Sequence, residues 1–202
     1  MDKFHLENRD PYAYIQLITG LFVFAAGIVF MLKADLGMSP WGTFHVGVIH
    51  HLPLTLGRIS QLVGLVIIVL SLFLGIYPGV GTVLNMFFIG LFIDLINPYI
   101  PFMDGYLSQA CMLGMGILFV GIASGLYINA NLGAGPRDSL MLGLSKKTEK
   151  SVRFIRNSIE ITVLITGFFL GGPAGLGTVA FALGIGPSVQ FFLKRVPKRG
   201  KS

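Results

Sequence analysis

Few residues in this chain are equipped for chemistry, and they gather in two places. Arg137-Asp138 directly follows Gly135-Pro136, and Glu160 stands between Ile159 and Ile161 with Arg156 four residues earlier. A carboxylate six residues into an apolar run lies about 9 Å from its start if the run is helical. A bare charge is costly there, so it is expected to face a bundle interior and to pair, with Arg156 or Arg137 as partner. A carboxyl so placed can take up and release a proton during transport. Ser39-Pro40-Trp41 occupies the place in the first half that Gly135-Pro136-Arg137 occupies in the second. A cap-competent residue before proline marks a helix start. The amides and positive dipole end at such a start favour an anion or a polar ligand. The candidate binding residues are therefore Ser39, Pro40, Trp41, Gly135, Pro136, Arg137, Asp138, Arg156 and Glu160.

Other polar residues carry weaker expectations. Asn85 can face the interior, Gln61 and Asn157 hint at a shared polar layer, and Asp94 reads as interfacial. His45, His50 and His51 have no third ligand at a metal spacing and are expected at the surface. Cys111 is the only cysteine, so no intrachain disulfide can form. Its apolar neighbours suggest packing. Ser-His-Asp, HExxH and phosphate-loop patterns are absent, so neither catalysis nor any metal or cofactor is expected.

The elements that must hold these residues belong in a membrane. Of 202 residues, 53% are hydrophobic and 12% charged, and the mean hydropathy is +0.77. Soluble domains carry roughly 25% charged residues, so a soluble or disordered chain is excluded. The net charge of +6 is no nucleic-acid signal, because the basic residues flank apolar runs as they do in oriented membrane proteins. Six such runs, 12–32, 59–77, 82–96, 109–128, 154–170 and 178–193, approach the roughly 20 residues a spanning helix needs. The segments 40–51 and 136–147 would cover only about 18 Å as helices. They are read as broken, re-entrant helices, with surface connectors as the alternative.

Shifting the chain by 96 residues lays 12–97 over 108–193 with seventeen identities, against roughly seven expected by chance. They include Leu36-Gly37 and Pro40 with Leu132-Gly133 and Pro136, and Gly79-x-Gly-Thr82 with Gly175-x-Gly-Thr178. The chain reads as a tandem duplication: a first repeat at 12–97, a connecting loop at 98–107 and a second repeat at 108–193, between an amino-terminal segment 1–11 and a basic tail 194–202. Three crossings per repeat would place the halves in opposite orientation. Thirteen of the fifteen Lys and Arg then fall on the cytoplasmic side with both termini, leaving Lys33 and Arg58 outside. The expected fold is an all-α membrane protein of six transmembrane helices, two inverted three-helix repeats each with a short broken helix. Gly121 with Gly125, and Ala182 with Gly186, form small-residue faces for close helix approach.

The stretches Leu36-Gly37-Met38-Ser39-Pro40-Trp41, Leu132-Gly133-Ala134-Gly135-Pro136-Arg137-Asp138-Ser139-Leu140-Met141 and Gly175-Leu176-Gly177-Thr178 resemble the YczE/YyaS/YitT family of bacterial integral membrane proteins. The similarity runs over roughly residues 12–193 and is nearest the YczE branch. It implies a multi-pass protein of the bacterial cytoplasmic membrane and implies no substrate. Gly42 stands where the second half has Asp138, which speaks against a symmetric two-acid site.

Two functions follow as expectations. One is a small secondary transporter or exporter of a small polar or anionic metabolite, with membrane lipid and a second copy of the chain, as a homodimer, as its candidate partners. The other is a non-transporting accessory or scaffold protein for a biosynthetic or export system, favoured by the sparse intramembrane polar groups.

Overall fold

The computed structural model describes residues 10–199, and Lys3, Arg9 and Lys201 of the charge argument lie outside them. The described residues form eight α-helices and no strand: α1 Pro11–Ala34, α2 Pro40–Ile49, α3 Leu56–Phe73, α4 Val80–Ile96, α5 Tyr106–Asn129, α6 Pro136–Thr148, α7 Val152–Phe169 and α8 Leu176–Arg195. A short 3-10 turn, Asn97–Tyr99, follows α4. Helices α1, α3, α4, α5 and α8 are long and apolar enough to cross a membrane. The expected fifth span, α7, equals α3 in length at 18 residues. It differs in carrying Arg153, Arg156 and Glu160, so length qualifies it and composition does not. The outer surface is apolar, with Phe22, Leu65, Val69, Phe87 and Leu118 all exposed. In hydrocarbon only helices and closed barrels satisfy every backbone group, and this helical chain with an apolar surface suits that solvent.

Helices α1 and α5 pack along each other at the centre. Their contact is made by glycines: a Cβ on Gly27 would meet the Gly116 carbonyl at 2.8 Å, and one on Gly116 the Gly27 carbonyl at 2.9 Å. Lipid gives helices no hydrophobic reason to associate, so close backbone approach supplies the packing. On the other side of α5, Gly121 abuts Ser188 and Gly125 abuts Phe192 of α8. That small-residue face is used inside the bundle, whereas Gly186 faces open space. Helix α2 packs on α7, and α6 on α3. The short helix of each half is therefore seated in the other half.

One end of the bundle holds the end of α1, the start of α3 and the end of α4. Met103 N–H donates to the Lys33 carbonyl at 3.1 Å. Asp94, expected to be interfacial, is half-buried and ties α4 to α3: it accepts from Thr55 Oγ1 at 2.5 Å and from Gly57 N at 2.9 Å. Asp94→Ala should cost about 2 kcal/mol, because hydrogen bonds to a charged group contribute about 1.5–3 kcal/mol each and partial rewetting offsets some of that. A lowered melting temperature of the purified protein measures it; an unchanged one would show the carboxylate to be ornamental. The opposite end gathers the start of α1 and the ends of α5 and α8. There Gln16 donates to the carbonyls of Leu126 and Pro197, and Asn129 to those of Leu193 and Val196.

Two expectations are corrected. Cys111 is exposed rather than packed. Gln61 and Asn157 form no shared layer, since Gln61 donates to the Phe87 carbonyl and Asn157 is exposed.

Candidate functional site

The breaks before the two short helices are built alike. After α1, Asp35 and Gly37 take positive φ (54° and 105°); after α5, Asn131 and Gly133 do the same (54° and 119°). Asp and Asn are the non-glycine residues that visit the left-handed region near 54°, whereas the larger φ at 37 and 133 calls for glycine. Each break exposes a carbonyl that no helix satisfies. Gly177 N, at the start of α8, donates to Leu36 O at 2.6 Å, and Gly81 N, at the start of α4, donates to Leu132 O at 2.7 Å. Orphan amides of one helix start thus satisfy orphan carbonyls of a chain break. Thr82 adds a bond from its hydroxyl to Ala134 O at 2.6 Å, and Thr43 donates to Pro173 O at 3.0 Å. The Gly-x-Gly-Thr turns hold the short helices rather than lining a site.

The short helices begin as their sequences suggest. Ser39 Oγ accepts from Gly42 N at 3.2 Å, with Pro40 at the first helical position. Gly135 precedes Pro136 without a side-chain cap, and Ser139 Oγ reaches back to Ala134 O. Both starts open onto one cavity of about 160 Å³ at the centre of the bundle, lined by residues of all eight helices. Ser39, Pro40, Trp41, Gly135, Pro136, Arg137, Asp138, Arg156 and Glu160 all lie on its wall. Much of the wall falls in pairs 96 residues apart: Met31 with Tyr127, Ile28 with Ser124, Trp41 with Arg137, Gly42 with Asp138, Ser60 with Arg156, Gly64 with Glu160. The second half supplies every charge, and the first half supplies aromatic, hydroxyl or small groups at the matching places.

Arg137 is the centre of the polar cluster. Its guanidinium lies 4.4 Å from the centre of the Trp41 ring, a cation–π contact. Its Nη2 lies 3.2 Å from His45 Nε2, so the imidazole, in the tautomer with that nitrogen bare, accepts a hydrogen bond from the guanidinium. Among the described residues no carboxylate comes within 4 Å of Arg137; the one such ion pair is Arg156 Nε with Glu160 Oε1, at 2.9 Å. Asp138 is engaged instead by Tyr127, whose hydroxyl donates to Oδ2 at 2.5 Å. The indole Nε1–H of Trp41 is buried and has no hydrogen-bond partner among the described residues. Such a donor costs about 1–3 kcal/mol, an expense that packing alone does not explain.

The structure joins Arg137 to Trp41 and Glu160 to Arg156, and Asn85 is on the cavity wall as expected. His45 is a correction: expected at the surface, it is 2% exposed and holds Arg137, while His50 and His51 are exposed. Tyr127 and Ser124 were not singled out from sequence. The available signal was Tyr127 itself, since a phenol in an apolar span needs a partner for its hydroxyl when it is buried. No group of three or more His, Cys, Asp or Glu among the described residues could hold a metal.

A family of unknown function, DUF6198, matches residues 11–194. A membrane protein of Bacillus subtilis (strain 168) called YczE, itself uncharacterized, is 38% identical over 176 residues, covering 86% of this chain and 82% of its own. An uncharacterized protein of Haemophilus influenzae is 34% identical over 182 residues, covering 90% and 84%. YyaS of B. subtilis, also uncharacterized, is 23% identical over 170 residues, covering 82% and 85%. No solved structure matches. With its apolar helices and these relatives, the chain is a multi-helix membrane protein that belongs to the DUF6198 family and is akin to YczE.

Proposed function

We propose that this chain is a small secondary transporter of a bacterial cytoplasmic membrane, carrying a small polar or anionic solute through the central cavity. One observation carries the reading: Arg137, a cation on the cavity wall, lies over the Trp41 ring and bonds to His45, yet among the described residues has no carboxylate within 4 Å. A charge inside a membrane protein marks a ligand or ion pathway by default. The two helix starts beside it add positive ends that favour the same ligand.

The arrangement of the halves supports alternating access. Helices α3 and α7, and α4 and α8, begin 96 residues apart. In this reading, six helices cross the membrane as two inverted sets of three, α7 among them, with α2 and α6 entering partway and both termini cytoplasmic. A second reading, a non-transporting accessory protein, draws on α8, whose Leu176, Val179 and Leu183 are exposed and open to a partner as readily as to lipid.

Glu160→Gln separates the two. The Arg156 and Glu160 side chains are 50% and 28% exposed, and an i,i+4 pair this open contributes no more than about 0.5 kcal/mol. Folding should hardly change. If Glu160 couples protons, proton-driven uptake of organic acids into proteoliposomes should fall at least tenfold while the protein inserts and melts normally. Equal uptake by both forms would remove the coupling role. No Arg137-dependent flux of any solute would leave the accessory reading.

A further inference from the structure

We propose that the cavity selects a small monoanion with an apolar body, a short-chain or aromatic monocarboxylate, and discriminates against dianions, phosphate and amino acids. This rests on the carrier reading and names its substrate class. The charges around the cavity come first. Arg137 and Arg156 offset Asp138 and Glu160, so the four side chains sum to zero. The starts of α2 and α6 each contribute roughly half a positive charge, which together balance one negative charge and not two.

The donors come next. The Arg137 guanidinium lies over the Trp41 ring, and His45 takes one donor on Nη2. What remains lies in the guanidinium plane, the geometry that receives the two oxygens of a carboxylate. An ammonium group would have to share acceptors that are already engaged, Asp138 Oδ2 by the Tyr127 hydroxyl and Glu160 Oε1 by Arg156 Nε. An amino acid would therefore seat its carboxylate and offer its amine only to carboxylates already tied to Tyr127 or Arg156. Trp41 adds a nine-tenths-buried wall whose indole N–H has no partner among the described residues.

The rest of the wall is apolar, with Ile28, Met31, Ile89, Val120 and Ile185 among it. At about 160 Å³ it matches in size the engineered apolar cavity of about 150 Å³ that admits benzene. A body of roughly four to seven carbons fits such a volume.

Binding to the purified full-length chain in detergent tests this by calorimetry, with benzoate, valerate, valeramide, norvaline, succinate and inorganic phosphate as probes. Benzoate and valerate should bind saturably, and the other four at least about tenfold more weakly. Arg137→Gln should abolish benzoate binding. Should that variant not fold, Arg137→Lys keeps the charge, loses the planar fork, and should weaken benzoate at least about tenfold. Succinate, phosphate or norvaline binding as tightly as valerate, and depending on Arg137, would overturn the monoanion selectivity and leave the carrier reading standing. Valeramide matching valerate would overturn the carboxylate's role. No binding of any anion by folded protein would remove the selectivity and the anion site together.

Discussion

Gly81→Ala and Gly177→Ala should each lower stability by about 3 kcal/mol or more, although neither residue is part of the polar cluster at Arg137. A Cβ at position 81 would stand 2.6 Å from the Leu132 carbonyl oxygen, and one at 177 would stand 2.6 Å from that of Gly37. Both obstacles are backbone, so no flexible side chain can yield. Overpacking of this kind costs about 1–3 kcal/mol. The displaced helix start also gives up its bond to Leu132 or Leu36, which leaves a buried carbonyl unpaired at about 1–3 kcal/mol. Gly186→Ala is the control. Nothing lies within 4 Å of the added carbon, and alanine favours the helix by up to about 1 kcal/mol over glycine. Melting temperatures of the three variants decide the matter, and three equal values would mean that the turns do not hold the short helices.

The elements that make those contacts were legible from residue type. Ser39-Pro40 and Gly135-Pro136 announced helix starts because a cap and a fixed φ act locally. Leu36-Gly37 and Leu132-Gly133 announced the breaks for the same reason. What local chemistry does not carry is the partner across the bundle. The Gly-x-Gly-Thr turns read as tight corners, and only the folded chain shows their amides meeting the carbonyls of the breaks. His45 read as a surface residue because its neighbours in sequence give no hint of Arg137, 92 positions away. Composition misjudged Cys111 in another way: an apolar setting in a membrane protein fits a lipid-facing position as well as a core. The charged residues of α7 predicted an inward-facing pair; Arg156 and Glu160 do pair on the cavity wall, but their side chains are 50% and 28% exposed.

Tyr127→Phe should cost about 2 kcal/mol, because its hydroxyl makes the only hydrogen bond the structure gives to the Asp138 carboxylate. Bonds to a charged group contribute about 1.5–3 kcal/mol, and this one lies in a part-buried setting where water does not fully replace it. Asp138→Ala removes the acceptor and strands a hydroxyl on a tyrosine that is 6% exposed. The double variant should therefore cost less than the sum of the two, with a coupling of about 1–2 kcal/mol in a double-mutant cycle. Strict additivity would mean that the two groups do not interact in solution. A carboxylate freed by Tyr127→Phe would also stand next to the Arg137 backbone without its restraint. Benzoate affinity in that variant should fall, since the anion would then compete with Asp138 for the guanidinium.

The exchange of short helices between the halves has a consequence for how the chain is made. The α2 surface around Thr43 and Gly47 is covered by Gly167, Leu170 and Gly172, which the ribosome delivers more than a hundred residues later. Until then the first half has three long apolar helices, α1, α3 and α4, and a short helix α2 whose seat is not yet made. Its final shape is settled only when α7 arrives. Insertion is thus an interlocking event between early and late parts of one chain, and the stability of the whole cannot be divided into independent contributions from its halves.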